Sequence, residues 1–143
     1  MQIGVASDHA GFRYKTLVAE HLRRSGYEVR DFGTTSEEPV DYPDAIRPLA
    51  IAVAAGELER GVIVGGSGNG EAMVANRYRG VRCAVSWNQE SARLGRAHND
   101  ANMLSLGQRL VPEEQLFPII DVWLSTPFEG GRHVARLRKL DEL

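Results

Sequence analysis

Cysteine is almost missing from this chain: Cys83 is the only one among 143 residues. A lone thiol excludes an internal disulfide and fits a reducing cytosol. Because Val81-Arg82-Cys83-Ala84-Val85 reads as a strand, Cys83 is expected to be a buried structural thiol rather than a nucleophile. No pair of histidines or cysteines has zinc-ligand spacing, so no metal site is expected. Long apolar runs are missing too. No stretch approaches ~18 apolar residues, and the N-terminus lacks a basic start leading into one, so neither a membrane span nor a signal peptide is expected. Nor does one sign of charge dominate. Lys and Arg total 17 against 19 Asp and Glu, a formal net charge of −2, which leaves no global electrostatic case for nucleic acid or membrane binding. Internal repeats and low-complexity segments are absent as well.

What is present is an ordinary globular composition, 43% hydrophobic and 25% charged, in a length that builds one domain with a real core. Residues 1–143 are therefore expected to form a single domain. Its organising stretch is Gly61-Val62-Ile63-Val64-Gly65-Gly66-Ser67-Gly68-Asn69-Gly70-Glu71. A short β-branched run reads as a strand buried on both faces. Four glycines within six residues follow it, and a helix-compatible segment comes next. Glycines let a ligand approach the main chain, and a helix N-terminus offers free N–H groups to an anion. Glu71 stands out there, because a carboxylate would repel a phosphate. It suits a group that reacts with the substrate better than one that holds it.

Taken in order, Met1–Ala6 predicts a strand that meets the polar Ser7-Asp8-His9, with Asp8 or Ser7 a candidate cap for a helix from about Ala10 to Arg24. Tyr27–Phe32 alternates as a second strand, and the proline-bearing segment Glu37–Pro43, with Asp41 and Tyr42, reads as a loop. A helix is predicted from Asp44 to about Gly56, with Pro48 in its first turn or so. After the central strand come a helix over Glu71–Asn76, a strand over Arg82–Trp87 and a helix over about Gln89–Ala97. The polar cluster His98 to Asn102 leads into a fifth strand, Met103–Leu106, followed by Gly107-Gln108-Arg109. Leu116, Ile119, Ile120, Trp123 and Leu124 form the clearest amphipathic pattern, in a helix starting at Pro112 and broken at Thr126-Pro127. Gly130-Gly131 opens a last short helix through Leu140. Strands alternating with helices imply an open parallel sheet covered on both faces, with its ligand at the carboxyl ends of the strands. Ser7-Asp8-His9, Gly66–Glu71, His98-Asn99 and Arg109 are all expected to converge on that edge.

The candidate groups suit one kind of chemistry. Arg132 and Arg136, four residues apart, share a helix face on which paired guanidinium donors can grip one phosphate. A carboxylate base, histidine acids and a phosphate clamp are what a sugar-phosphate isomerase needs. It removes a proton beside a carbonyl, stabilises the enediolate with N–H donors and returns the proton to the neighbouring carbon. Each item also has a plainer reading: Asp8 as a cap, Glu71 as a first-turn acid, His9 as a loop residue, His98 as a helix C-terminal residue. His21 and His133 read as packing or surface residues, and Arg138 and Lys139 as a solvated face.

Ser7-Asp8-His9-Ala10-Gly11, Asp41-Tyr42-Pro43, Gly66-Ser67-Gly68-Asn69-Gly70, Ala75-Asn76, His98-Asn99, Ala101-Asn102, Gly107-Gln108-Arg109 and Gly130-Gly131-Arg132-His133 with Arg136 closely resemble, in order, the ribose-5-phosphate isomerase B family. The resemblance covers Ile3 to about Arg136. It implies a Rossmann-like α/β/α sandwich with a five-stranded parallel sheet, and a cytoplasmic enzyme of the non-oxidative pentose phosphate pathway. It further implies interconversion of ribose 5-phosphate and ribulose 5-phosphate without cofactor or metal. The enzyme would be a homodimer or tetramer whose active sites are shared between subunits, with the segment from about 126 to 143 packing on the partner. Within it His98 resembles the ring-opening acid, with Asp8 nearby. His9, Arg132 and Arg136 resemble the phosphate set, Asn99 and Arg109 further substrate contacts, and Tyr42 a pocket wall. Gly66, Ser67, Gly68, Asn69 and Gly70 resemble the anion hole. Many members carry a cysteine base in this loop, whereas this chain matches the subgroup in which a glutamate, here Glu71, replaces it. A serine hydroxyl is far too weakly acidic to act unaided as that base, so Ser67 is placed as a donor to the oxyanion. The alternatives are a six-carbon substrate such as allose or galactose 6-phosphate, and a non-catalytic sugar-phosphate-binding module.

Overall fold

Apolar runs that alternate with amphipathic segments can bury both kinds of surface by placing helices on two faces of one sheet. The computed structural model describes every residue, Met1–Leu143, and has this arrangement. The elements are β1 (Gln2–Ser7), a 3-10 turn (His9–Gly11), α1 (Phe12–Arg24), β2 (Glu28–Asp31), α2 (Tyr42–Ala54), β3 (Arg60–Gly65), α3 (Asn69–Ala75), β4 (Cys83–Val85), α4 (Gln89–Asn99), β5 (Met103–Gly107), α5 (Glu113–Ser125) and α6 (Arg132–Asp141). The five strands are all parallel, in the order β2-β1-β3-β5-β4. The three-layer α/β/α sandwich with a five-stranded parallel sheet is the fold expected from the sequence.

Strand alternation divides the core in two. Val5, Val62, Val64, Leu104 and Leu106 face one way, against Val18 and Leu22 of α1 and Leu116, Ile119, Ile120 and Trp123 of α5. Ala6, Ile63 and Met103 face the other, against Ile46, Leu49, Ala50 and Val53 of α2 and Ala75 of α3. Gly4 and Gly61 leave room on the sheet for Leu49, whose methyl groups occupy the space where their side chains would lie. No helix is long and apolar enough to cross a membrane.

Several boundaries move. Asp41 and Tyr42 do not lie in a loop: Asp41 stands at the cap position and Tyr42 begins α2, with Pro43 in the first turn. A proline there gives up only an N–H that has no helical partner anyway. The earlier start places Pro48 beyond the first turn, where its ring removes the bond to the Asp44 carbonyl. The strand expected over Arg82–Trp87 shrinks to Cys83–Val85 at the sheet edge. There the Asn76 side chain takes the place of a neighbouring strand, accepting from Cys83 N–H at 2.8 Å and donating to its carbonyl at 3.0 Å. Cys83 is half-buried, and burial pushes its thiol well up, which fits a structural role.

Leu104 is fully buried on β5 between α1, α5 and the strands beside it. Leu104→Ala is expected to lower stability by about 2–5 kcal/mol, read from the urea midpoint at unchanged slope.

Candidate active site

The sheet order reverses between β1 and β3, because the chain runs outward from β1 to β2 and returns on the other side of β1. Loops leaving two such strands part, and the crevice opens there at their carboxyl ends. Ser7 ends β1 and Asp8 follows it, while Gly65 ends β3 and Gly66 to Glu71 follow. Asp8 acts as the cap expected of it, its Oδ1 accepting from Gly11 N–H at 3.0 Å. Glu71 is 4% exposed. A side chain on Gly65 would coincide with the Glu71 carboxyl, so the bare glycine is what seats the acid.

The glycine loop wraps this carboxyl. Gly68 has φ +84°, a conformation other residues adopt only with strain, and it leads into α3. The N–H groups of Gly66, Ser67, Gly68 and Gly70 donate to no backbone acceptor. Ser67 Oγ accepts from Asn69 N–H at 3.2 Å, which leaves its own hydroxyl proton to donate elsewhere. The Tyr42 ring lies against Gly70, within 2.7 Å of where a Cβ would be, and the Arg109 guanidinium stands 3.0 Å from the equivalent point on Gly66. His9 Nδ1 accepts from Val40 N–H at 3.1 Å, so Nε2 carries the ring proton of the neutral form. Asp8, His9, Tyr42 and Pro43 line a cavity of about 440 Å³.

Burial raises the Glu71 carboxyl above the usual carboxylate range. A hydrogen bond to its own backbone N–H opposes this, while the Asp8 carboxyl raises it further. An acid held more protonated in the folded chain than in the unfolded one loses stability for the fold as pH rises from its unfolded value through its folded value. Glu71→Gln is therefore expected to melt higher than the wild type at pH 7. That advantage should fade as the pH falls below the ordinary glutamate range, measured by thermal melts across pH.

The other predicted residues lie elsewhere. His98 and Asn99 do not converge on the carboxyl edge, because they close α4 immediately before β5 begins. Residues that precede a parallel strand stand at its amino end. β5 pairs with β3 from Met103↔Gly61 to Gly107↔Gly65, so about 13 Å of strand at ~3.3 Å per residue separates that end from Gly65. Arg82 marks the same amino edge, its Nε donating to the Asn99 carbonyl at 2.8 Å. Arg132 and Arg136 are exposed on α6, whose His133 stacks on His98. Tyr78, Arg82, Asn99 and Asp141 line a second cavity, of about 600 Å³, on this edge. The predicted site residues thus fall into two groups: Asp8, His9, Tyr42, Gly66–Gly70, Glu71 and Arg109 on one edge, and His98, Asn99, Arg132 and Arg136 on the other.

Glu129 belongs to the second group and has no signature in the sequence beyond preceding Gly130-Gly131. His133, read from the sequence as surface or packing, is 7% exposed and packed on His98. Ligand atoms of His98, Glu129 and His133 lie within 4.8 Å of one another, close enough for a metal by distance alone. The two rings, however, are only 17° from parallel with centroids 4.4 Å apart. A metal about 2.1 Å from both nitrogens would lie well out of each ring plane, away from the lone pairs.

Comparison with known proteins identifies the family. Residues 3–140 match the family model described as Ribose/Galactose Isomerase. The chain is 41% identical over 139 residues to ribose-5-phosphate isomerase B of Escherichia coli K12, covering 97% of this chain and 93% of that protein. It superimposes on the Clostridium thermocellum ribose-5-phosphate isomerase B with a TM-score of 0.97 at 46% identity, covering 99% of this chain and 96% of that one. The Mycoplasma genitalium enzyme, solved with bound ribulose-5-phosphate, gives a TM-score of 0.95 at 35% identity, with 99% and 94% covered. The chain belongs to the ribose/galactose isomerase family.

Proposed function

We infer that this chain is an aldose–ketose isomerase that interconverts D-ribose 5-phosphate and D-ribulose 5-phosphate through an enediolate. The observation that carries this is Glu71: a buried carboxyl with a raised pKa, seated by Gly65 beside a loop of unengaged N–H groups. A carboxylate so placed is a stronger base than one in water and needs no metal to take a carbon-bound proton. On the open-chain aldose Glu71 removes the proton at C2, and the C–H electron pair moves toward C1 so that negative charge develops on the carbonyl oxygen. Ser67 and the N–H groups of Gly66, Gly68 and Gly70 meet that charge. Return of the proton to C1, with the hydroxyl proton passing from O2 to O1, gives the ketose.

Cyclic substrate must first be opened. His98 gives a proton to the ring oxygen as the C1–O bond breaks, and the Asp8 carboxylate takes the proton of the anomeric hydroxyl. Arg132 and Arg136 hold the phosphate with His9, Asn99 and Arg109 contact the substrate, and Tyr42 walls the pocket. The opposite-edge placement of His98 supports a homodimer in which each site combines Glu71 of one subunit with His98, Asn99, Arg132 and Arg136 of the other. Exposed Val134, Leu140 and Leu143 around α6 support a partner packed on the segment from about residue 126. The whole chain, 1–143, then works as one isomerase domain. A cysteine without a partner thiol suits the cytoplasm for such an enzyme.

Glu71→Gln is expected to lower kcat on ribose 5-phosphate by about 10²–10⁴, with substrate binding retained. An active Glu71→Gln variant would remove Glu71 as the base. Mixing subunits tests the shared site. If Glu71→Gln and His98→Ala proteins, each inactive, are unfolded together and refolded, half the dimers are hybrids with one intact site of two. About a quarter of wild-type activity should return. No recovery would place both residues of a site in one subunit.

A further inference from the structure

The scheme above asks His98 to carry a proton, yet His98 stands half-exposed at a helix end. Two neighbouring groups act on it and have no role so far. His133, in the first turn of α6, stacks on its ring. Glu129 sets its Oε2 3.8 Å from Nε2 of His98 and 3.6 Å from Nε2 of His133. Both distances exceed a hydrogen bond, so the carboxylate is a charge facing two rings rather than a fixed acceptor for either. Its position comes from the backbone. Glu129 N–H donates to the Ala97 carbonyl at 2.9 Å, one residue before His98. Gly130 and Gly131, at φ +68° and +55°, then turn the chain so that His133 comes back against the pair.

Two imidazoles stacked this closely do not both hold a proton, since each cation would raise the other's energy. Their surroundings decide between them. His133 is buried and its Nε2 has no hydrogen-bond partner. Burial lowers its pKa, and Arg132, His98 and Arg136 act in the same direction against the pull of Glu129. His98 meets water and ends α4, where the last carbonyl groups favour a cation. Glu90 and Arg93, on the same helix, add one charge of each sign near His98 and Glu129 and pair with each other.

We propose that Glu129 and His133 are positioning residues for His98. The neutral, stacked His133 fixes the plane of the ring, and the Glu129 carboxylate keeps the pair's one proton on His98 for delivery to the sugar ring oxygen. This rests on the isomerase reading above, and one substrate separates the two. Ribulose 5-phosphate carries its phosphate on O5, the hydroxyl that would close a five-membered ring on C2, so it stays open. Exchange of its C1 hydrogen with D2O reads the Glu71 step alone. Conversion of cyclic ribose 5-phosphate reads ring opening as well.

Glu129→Gln is expected to lower kcat/KM for ribose 5-phosphate about tenfold. With that negative charge gone, the alkaline limb of the profile should move to lower pH. C1 exchange in ribulose 5-phosphate should stay within about twofold of wild type, and Glu129→Asp should recover most of the lost rate. Equal losses in both assays, or an unmoved alkaline limb, would overturn the proposal in favour of a purely structural role. Absence of exchange in the wild type would overturn the isomerase reading and this proposal with it.

Discussion

A carboxyl group removed from water without a cation beside it is the constraint on which the carboxyl edge is built. Glu71 gains its basicity from burial, and burial is available only because Gly65 has no side chain. Asp8 faces it with a second carboxyl, which raises the same pKa while its own Oδ1 holds Gly11 N–H. The arrangement depends on β1 and β3 being neighbours, which puts the ends of two strands far apart in sequence into one crevice. A desolvated acid without a counter-ion opposes folding at neutral pH, so this edge costs the fold stability.

The second constraint is the length of a strand. α4 returns antiparallel to the sheet and ends where β5 begins, so its last residues are carried to the amino edge. His98, Asn99 and the α6 arginines are then separated from Glu71 by the thickness of the sheet along its strands. On the reading proposed above, the two groups come together where two chains associate. The fold does supply local order at the second edge. The glycine turn after Glu129 brings His133 onto His98, and the Glu129 N–H fastens the turn to α4.

Much of this was legible one residue at a time. The continuous β-branched run Val62-Ile63-Val64, and the helical spacing from Leu116 to Leu124, reported the layers, because a buried strand and a 3.6-residue period are both local signals in the chain. The cluster of glycines before Glu71 reported the crevice for the same reason. The start of α2 was harder to read: a proline-bearing polar stretch looks like a loop until the packing of Ile46 and Leu49 selects the helix that begins at Tyr42. Glu129 could not be found at all, since its meaning lies in a turn that returns His133 to it.

The sequence by itself determined the elements, the parallel α/β class and the glycine loop that leads into Glu71, all of which rest on neighbours within a few residues. Which edge each polar cluster occupies was decided only by the tertiary structure. A residue before a strand and a residue after one look alike along the chain, but a parallel sheet sends them to opposite ends. The pairing of His98 with His133 and Glu129, and the separation of both from Glu71, follow from that geometry and from nothing shorter in range.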